Sequence, residues 1–320
     1  MNHLLQLLAD GRFHTGEELG AVLGVSRSAV WKYLQRLEAE TGVELFKVRG
    51  KGYRLAEPLS LLAPEQIRDS LTRLGWHCSL FNEIDSTNAE ALRQLQGGAL
   101  VPFVVVAEHQ SAGRGRRGRA WVSPPGQNLS YSLALMVNGG PQSLSGLSLV
   151  AGLAVLRVLR NVGVGRAGLK WPNDIYVAEK KIAGILLELT GDPADVCQVV
   201  IGIGINVNMS VTTKDIGQPW TSMRNEVGVL VDRSQLVSLI SESLNHYLAT
   251  HSRLGFGALR AEWEQNNIWH GRRCKLTTGS IAVEGQVLGV NDQGALRMLV
   301  NGQVQHFSGG ELSLRLSDDS

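Results

Sequence analysis

Apolar residues recur along this chain in three successive rhythms, and each change of rhythm marks a new unit. Up to about residue 57 they fall at helical spacing. A first helix is predicted from His3 to Ala9, stopping at Asp10-Gly11. Thr15-Gly-Glu-Glu18 has the form of a capping box, in which a hydroxyl and a carboxylate satisfy reciprocal backbone amides. It opens a second helix with Leu19, Val22 and Leu23 on the apolar side. Gly24-Val25 makes a turn and Ser26 caps a third helix. There Val30, Leu34 and Leu37 form a buried stripe, while Arg27, Ser28, Trp31, Lys32 and Gln35 take the opposite face. Helix, glycine-containing turn and helix is a helix-turn-helix pattern. Val43 to Leu55 then reads as two short strands around Arg49-Gly-Lys-Gly52, a wing with a basic tip.

Glu57-Pro58 begins a connector, after which strand and helix signals alternate. Phe103–Ala107, Leu129–Leu135, Ile182–Leu189 and Val199–Ile205 are predicted strands; Leu147–Leu159 and Gln235–Thr250 are predicted long helices. From Gly271 to Leu316 the runs are short and alternating, punctuated by Gly285, Gly289, Gly294, Gly302 and Gly309-Gly310, as in a small β-barrel. The expected units are 1–60, 61–268 and 269–320.

Composition changes this picture little. At 320 residues, 43% hydrophobic and 19% charged, the chain has the balance of an ordinary soluble globular protein. Its three cysteines, Cys78, Cys197 and Cys274, are odd in number and far apart, which argues for a reducing compartment. No secretory signal opens the chain. The most apolar stretch, Leu147–Leu159, is too short for a bilayer and is broken by Arg157. A cytoplasmic protein with no membrane partner is expected.

Charge distribution says more than the net charge of +2. Between Ser26 and Arg54, Lys and Arg at 27, 32, 36, 47, 49, 51 and 54 outnumber Glu38, Glu40 and Glu44. The surplus sits on the third helix and the wing, where phosphate contacts would be made, so DNA is the expected partner. No acidic residue lies between Glu108 and Asp174, a stretch that holds Arg114, Arg116, Arg117, Arg119, Arg157, Arg160, Arg166 and Lys170. An anionic ligand suits such a segment.

Its core is Gln110-Ser-Ala-Gly-Arg-Gly-Arg-Arg-Gly-Arg-Ala-Trp121. The spacing Gly113-x-Gly115-x-x-Gly118 imitates a dinucleotide fingerprint, but Trp121-Val-Ser-Pro-Pro-Gly126 cannot open the helix that fingerprint requires. What remains is a flexible loop presenting arginines, whose guanidinium groups bind carboxylate and phosphate oxygens in pairs.

This run resembles the ligand loop of biotin–protein ligases. Further marks of that family follow in order: Asp85-Ser-Thr-Asn88, Lys170-Trp-Pro-Asn-Asp174, Lys181-Ile-Ala-Gly184, Gly202-Ile-Gly-Ile-Asn206 and Leu312-Ser-Leu-Arg315. With the helix-turn-helix, the resemblance spans essentially the whole chain and is nearest to the two-function bacterial form that also represses the biotin operon. It implies a winged helix-turn-helix, a central class II synthetase-like mixed β-sheet domain with helices, and a small SH3-like barrel. It also implies a reaction: biotin and ATP, with Mg²⁺, form biotinyl-5′-adenylate, and a lysine of a biotin carboxyl carrier protein takes the biotinyl group.

On the same resemblance Lys181, Arg114 and Arg116 carry catalysis. Ser86, Thr87, Asn88, Gln110, Gly115 and Gly184 complete the biotin site, and Arg119, Trp121, Asn173 and Asn206 hold the adenylate. Arg27, Ser28, Trp31, Lys32 and Gln35 would read operator DNA. Strand alternation sets Lys181, Ala183 and Ile185 on one face and leaves Lys180 solvated. Asp174 is a candidate to orient or deprotonate the acceptor lysine. The adenylate is expected to order the arginine loop, with Gly139-Gly-Pro-Gln-Ser143, and so to favour a homodimer that matches a two-fold operator. The competing readings are a lipoate–protein ligase, a biotin-sensing repressor without catalysis, and an RNA-binding relative of the class II synthetases. The arginine loop and helix-turn-helix oppose the first, intact Lys181 the second, and the absence of an aromatic stacking platform the third.

Overall fold

Thr15 caps its helix in the manner its sequence requires. Its hydroxyl accepts from the Glu18 amide at 3.1 Å, and the Glu18 carboxylate accepts from the Thr15 amide at 2.8 Å. The computed structural model describes residues 2–41, 43–191, 196–210, 216–278, 281–308 and 312–317. In the first unit α1 (Asn2–Leu8), α2 (Gly16–Leu23) and α3 (Arg27–Thr41) close around Leu4, Leu8, Leu19, Val30, Leu34 and Leu37. Val22, expected on the apolar side of α2, is instead 55% exposed. The buried face of that helix is Gly16, Leu19 and Gly20, and Val22 lies about a third of a turn away from it. Strands β1 (Leu45–Val48) and β2 (Gly52–Leu55) form the antiparallel wing. The Arg54 guanidinium lies over the rings of Phe13 and Phe46 and braces the wing against the loop before α2.

The connector is tied down by one fully buried side chain. Arg233 donates through Nε to the Ser60 carbonyl at 2.6 Å and through Nη1 to the Asn128 carbonyl at 2.8 Å. Its remaining nitrogen pairs with Glu108, whose other oxygen accepts from the Leu62 amide. A charge taken fully out of water needs this degree of pairing.

Next come α4 (Pro64–Thr72), β3 (His77–Ile84), α5 (Thr87–Gln96), β4 (Phe103–Gln110), β5 (Leu129–Asn138), α6 (Pro141–Leu144) and α7 (Leu147–Asn161). Strands β6 (Ala167–Lys170), β7 (Asp174–Val177), β8 (Lys180–Gly191) and β9 (Val196–Ile205) follow, then α8 (Met223–Val227), α9 (Arg233–Leu254) and α10 (Arg260–Gln265). Among the described residues the strands make one seven-stranded sheet in the order β3-β4-β5-β9-β8-β7-β6, parallel only between β3 and β4.

Alternation along β4 separates the two faces. Val104 and Val106 join the large core with α7 and α9, while Phe103 and Val105 pack with Ala91 and Leu95 of α5. By length and composition the run Pro141–Asn161 could cross a membrane. Gly146, at φ 73°, breaks it into α6 and α7, and α7 is a core helix.

The last unit comprises β10 (Arg273–Thr278), β11 (Ile281–Val290), β12 (Leu296–Val300), β13 (Gln303–Phe307) and β14 (Ser313–Leu316). They form an antiparallel five-stranded sheet in the order β13-β12-β11-β10-β14 among the described residues. This is the small β unit expected from the alternating runs; the Gly309-Gly310 turn lies outside the described residues. Its inner residues Cys274, Leu276, Val287 and Leu296 belong to the same core as α7 and α9, so packing is continuous across residue 268.

Candidate functional site

Glycines set the floor of the site. Gly184 of β8 and Gly204 of β9 face each other across the sheet, with Gly202 one step along the same face. A Cβ on Gly204 would come within 2.5 Å of Trp121 Cε2, one on Gly184 within 3.1 Å of Lys181 Nζ, and one on Gly202 would collide with the Asn88 amide. Bare backbone therefore lets Trp121, Lys181 and Asn88 lie directly on the sheet. The Trp121 indole N–H is buried and has no acceptor among the described residues.

Lys181 reaches this floor through a bulge that simple alternation does not anticipate. Tyr176 pairs with Lys181 and Ile175 with Ala183, which leaves Ile182 as the extra residue of β8. Ala183 and Ile185 consequently face the core, and Lys181 shares the opposite face with Gly184; this corrects the expected grouping. Lys180 is exposed, as expected. Lys181 Nζ stands 2.8 Å from Asp174 Oδ1, an ion-pair distance without hydrogen-bond alignment, and 5.5 Å from the Trp121 ring centre. Its backbone is clamped by Pro219–Thr221: the Lys181 amide donates to the Pro219 carbonyl, and the Lys181 carbonyl accepts from the Thr221 amide. Trp220 lies beside it in this bridge.

A second group gathers at the start of α5. Ser86 caps the helix, with its hydroxyl 3.5 Å from the Ala89 amide. The Gln110 side-chain oxygen Oε1 accepts from both the amide and the hydroxyl of Thr87. Ser132 Oγ lies 2.8 Å from Thr87 Oγ1 and 2.6 Å from Asn88 Oδ1. The Asn88 Nδ2 donates to Glu188 at 2.7 Å, and Glu188 also pairs with Arg114. Asp85 points elsewhere, paired with Arg93, whose hydrogen bonds hold its carboxyl down at about 2.

The loop between β4 and β5 crosses above these groups, folded on itself by Gly115 N–H to Arg119 O and Trp121 N–H to Gly113 O. Arg116 reaches furthest, donating to Asn173 Oδ1 at 2.8 Å and to the Leu312 carbonyl at 2.9 Å. Burial weakens its hold on the proton. Asn173 itself donates to the Ile185 carbonyl, and Asn206 to the Thr221 carbonyl, so both asparagines brace strand ends. Arg114 and Arg119 are exposed. Lys181, Arg116, Asn173, Gly184 and Trp121 thus come together on the sheet face. Ser86, Thr87, Asn88 and Gln110 form an adjoining polar cluster that Glu188 links to Arg114. Sequence reasoning missed Glu188, Ser132 and Trp220. A carboxylate interrupting the apolar Ile185–Leu189 run was the one available signal.

In the first unit Arg27, Ser28, Trp31, Lys32 and Gln35 are all exposed along one side of α3, opposite Val30, Leu34 and Leu37. That is the disposition of a recognition helix beside its wing.

A lysine–aspartate pair on a glycine floor, under an arginine loop and joined to a winged helix, defines a ligase fused to a DNA-reading unit. The chain belongs to the biotin–protein ligase family, in its bifunctional ligase/repressor form. It is 40% identical over 98% of its length to Bifunctional ligase/repressor BirA of Escherichia coli (strain K12), covering 97% of that protein. To its counterpart in Bacillus subtilis it is 32% identical over 96% of the chain and 95% of the relative. Family models match in the same order: an HTH domain at 1–54, the Biotin/lipoate A/B protein ligase family at 80–206, and the Biotin protein ligase C terminal domain at 270–315. The solved biotin protein ligase from Aquifex aeolicus in complex with biotin and ATP matches with a TM-score of 0.67 at 30% identity, over 75% of this chain and 99% of that one.

Proposed function

We propose that this chain joins biotin to a carrier-protein lysine through biotinyl-5′-adenylate, and that the adenylate also switches it into a DNA-binding repressor. The observation that carries the reading is the placement of Lys181 on a bare glycine floor, paired with Asp174 and overhung by Arg116. A biotin carboxylate must attack an α-phosphorus surrounded by negative oxygens, expelling pyrophosphate. Lys181 neutralises both anions as they meet, and Arg116 adds a second, partly desolvated charge. In the second step the acceptor amine attacks the biotinyl carbonyl and AMP leaves. Asp174, released when Lys181 turns to the ligand, takes the amine's proton.

Ser86, Thr87, Asn88 and Gln110 offer the donors and acceptors that a ureido ring needs. Arg114 and Gly115 close over it, while Trp121, Arg119, Asn173 and Asn206 hold the nucleotide. A Mg²⁺ delivered on ATP would be held mainly by phosphate oxygens, with Asn173 and Asn206 nearby, and would neutralise the triphosphate. The chain is read as cytoplasmic, with units at 1–60, 61–268 and 269–320 and a homodimer formed when the adenylate is bound. Incubation with biotin, ATP and a biotin carrier domain tests the reading: the carrier gains one biotinyl group by mass spectrometry, and an unmodified carrier overturns it.

Two further outcomes follow. Gly204→Ala places a methyl group against Trp121, and overpacking of this kind costs about 1–3 kcal/mol. Calorimetric titration with ATP and biotin should show affinity weakened roughly tenfold, and the melting temperature should fall by about 2–12 °C. Lys32→Ala removes a charge from the reading helix. Operator binding should weaken across sequences, and the slope of log affinity against log salt should fall by about one.

A further inference from the structure

Lys170 stands apart from the groups just described, yet its surroundings are unusual for a lysine. It ends β6, and its register partner across the sheet is Asp174, the first residue of β7. Directly paired residues of an antiparallel ladder share a face. Asp174 thus lies on the strand between two lysines, Lys181 of β8 and Lys170 of β6. Lys170 is also caged: its ammonium is 4.3 Å from the Trp269 ring centre and 4.6 Å from that of Tyr176, and it donates to the Tyr176 hydroxyl at 3.2 Å. Trp269 belongs to the segment that leads into the C-terminal sheet and is laced to β6, with the Leu169 amide donating to Asn266 O and the Ile268 amide to Leu169 O. The charged and titratable groups facing the ammonium are Asp174 and Tyr176 from β7, Lys181 from β8, Arg315 from β14 and Cys274 from β10. Burial, assisted by Lys181 and Arg315 and opposed by Asp174, pushes Lys170 down to about 8. A cation held at such cost, by aromatic faces rather than by water, calls for a role.

We propose that Lys170 is a positioning residue for the transfer half of the reaction, the fixed counter-charge that keeps the Asp174 side chain in place once Lys181 leaves it for the ligand. The inference rests on the ligase reading and on Asp174 as proton acceptor. Lys181 can serve Asp174 or the reacting anions; Lys170, locked between Tyr176 and Trp269, cannot follow it and stays beside the carboxylate. Adenylate formation does not use the Asp174 proton site, so the two half-reactions should respond differently to loss of this charge.

The test compares full-length wild type with Lys170→Met and Lys170→Arg. Biotin-dependent ATP–pyrophosphate exchange reports the first half-reaction. Single-turnover transfer from enzyme-bound adenylate to a carrier domain reports the second. Lys170→Met should leave exchange within about threefold and slow transfer by about tenfold. Lys170→Arg, which keeps the charge and can stack on the same rings, should restore the transfer rate. Trp269→Leu keeps the charge but loosens the cage, and should slow transfer by less than Lys170→Met while sparing exchange. Should Lys170→Met fail to fold by circular dichroism, Lys170→Gln carries the same expectation. Equal losses in both half-reactions, or failure of the arginine to rescue transfer, would overturn the proposal. Absence of exchange in the wild type would instead remove the ligase reading beneath it.

Discussion

Lys181→Ala should lose biotin-dependent ATP–pyrophosphate exchange by about a thousandfold while remaining folded. Two anions must be brought into contact at the floor formed by Gly184 and Gly204. A positive charge about 4 Å away contributes roughly 4 kcal/mol at an effective dielectric near 20. Each 1.36 kcal/mol is a factor of about ten in rate, which gives the expected loss. Lys181 is mostly buried (15% exposed) and is Asp174's ion-pair partner, so its removal also leaves that carboxylate without its near cation. The loss should therefore appear chiefly in kcat, since the charge matters most as the phosphorus becomes five-coordinate. Exchange assays at saturating biotin and ATP check this directly. Retention of more than about a tenth of the rate would move the catalytic charge elsewhere, with Arg116 next in line.

The second large effect is on stability. Arg233→Met should lower the melting temperature steeply, because it leaves Glu108 at the buried end of the connector without its cation. Breaking a buried pair by removing one partner costs about 3–5 kcal/mol. For a domain of this size that corresponds to roughly 6–20 °C in thermal midpoint. Glu108→Leu combined with Arg233→Met should recover much of the loss, since an apolar pair leaves no stranded charge. A single variant as stable as the wild type would show that this pair does not tie the connector to β4. Glu108 lies two residues before Gln110, so the element that anchors the DNA-reading unit is also the strand that starts the ligand loop.

Much of this architecture was legible in the residues because local chemistry and burial agree. The capping box at Thr15, the stripe of Val30, Leu34 and Leu37, and the apolar runs that became β4, β5, β8 and β9 all stand where their patterns put them. Val22 was misplaced because periodicity gives the spacing of an apolar face without saying where its centre meets the core. The facing of Lys181 was misread for a related reason. Alternation assumes an unbroken ladder, and one extra residue at Ile182 reverses every side chain N-terminal to it.

Gathering at the site was harder to see. Glu188, Ser132 and Thr221 come from strands and loops far apart in the chain, and no local pattern links them. Arg116's bond to Leu312 joins segments nearly two hundred residues apart. The roles first attached to Asn173 and Asn206 were ligand contacts. Their amides prove to be spent on backbone carbonyls, and their side-chain oxygens already accept, Asn173 from Arg116 and Asn206 from Asn128, so a ligand would reach them only by exchanging those bonds.

The most direct test of the account is ATP–pyrophosphate exchange by the full chain with biotin, set against the same assay with lipoate. The site described here predicts exchange with biotin and none with lipoate. Exchange with lipoate, or with neither acid, would contradict it.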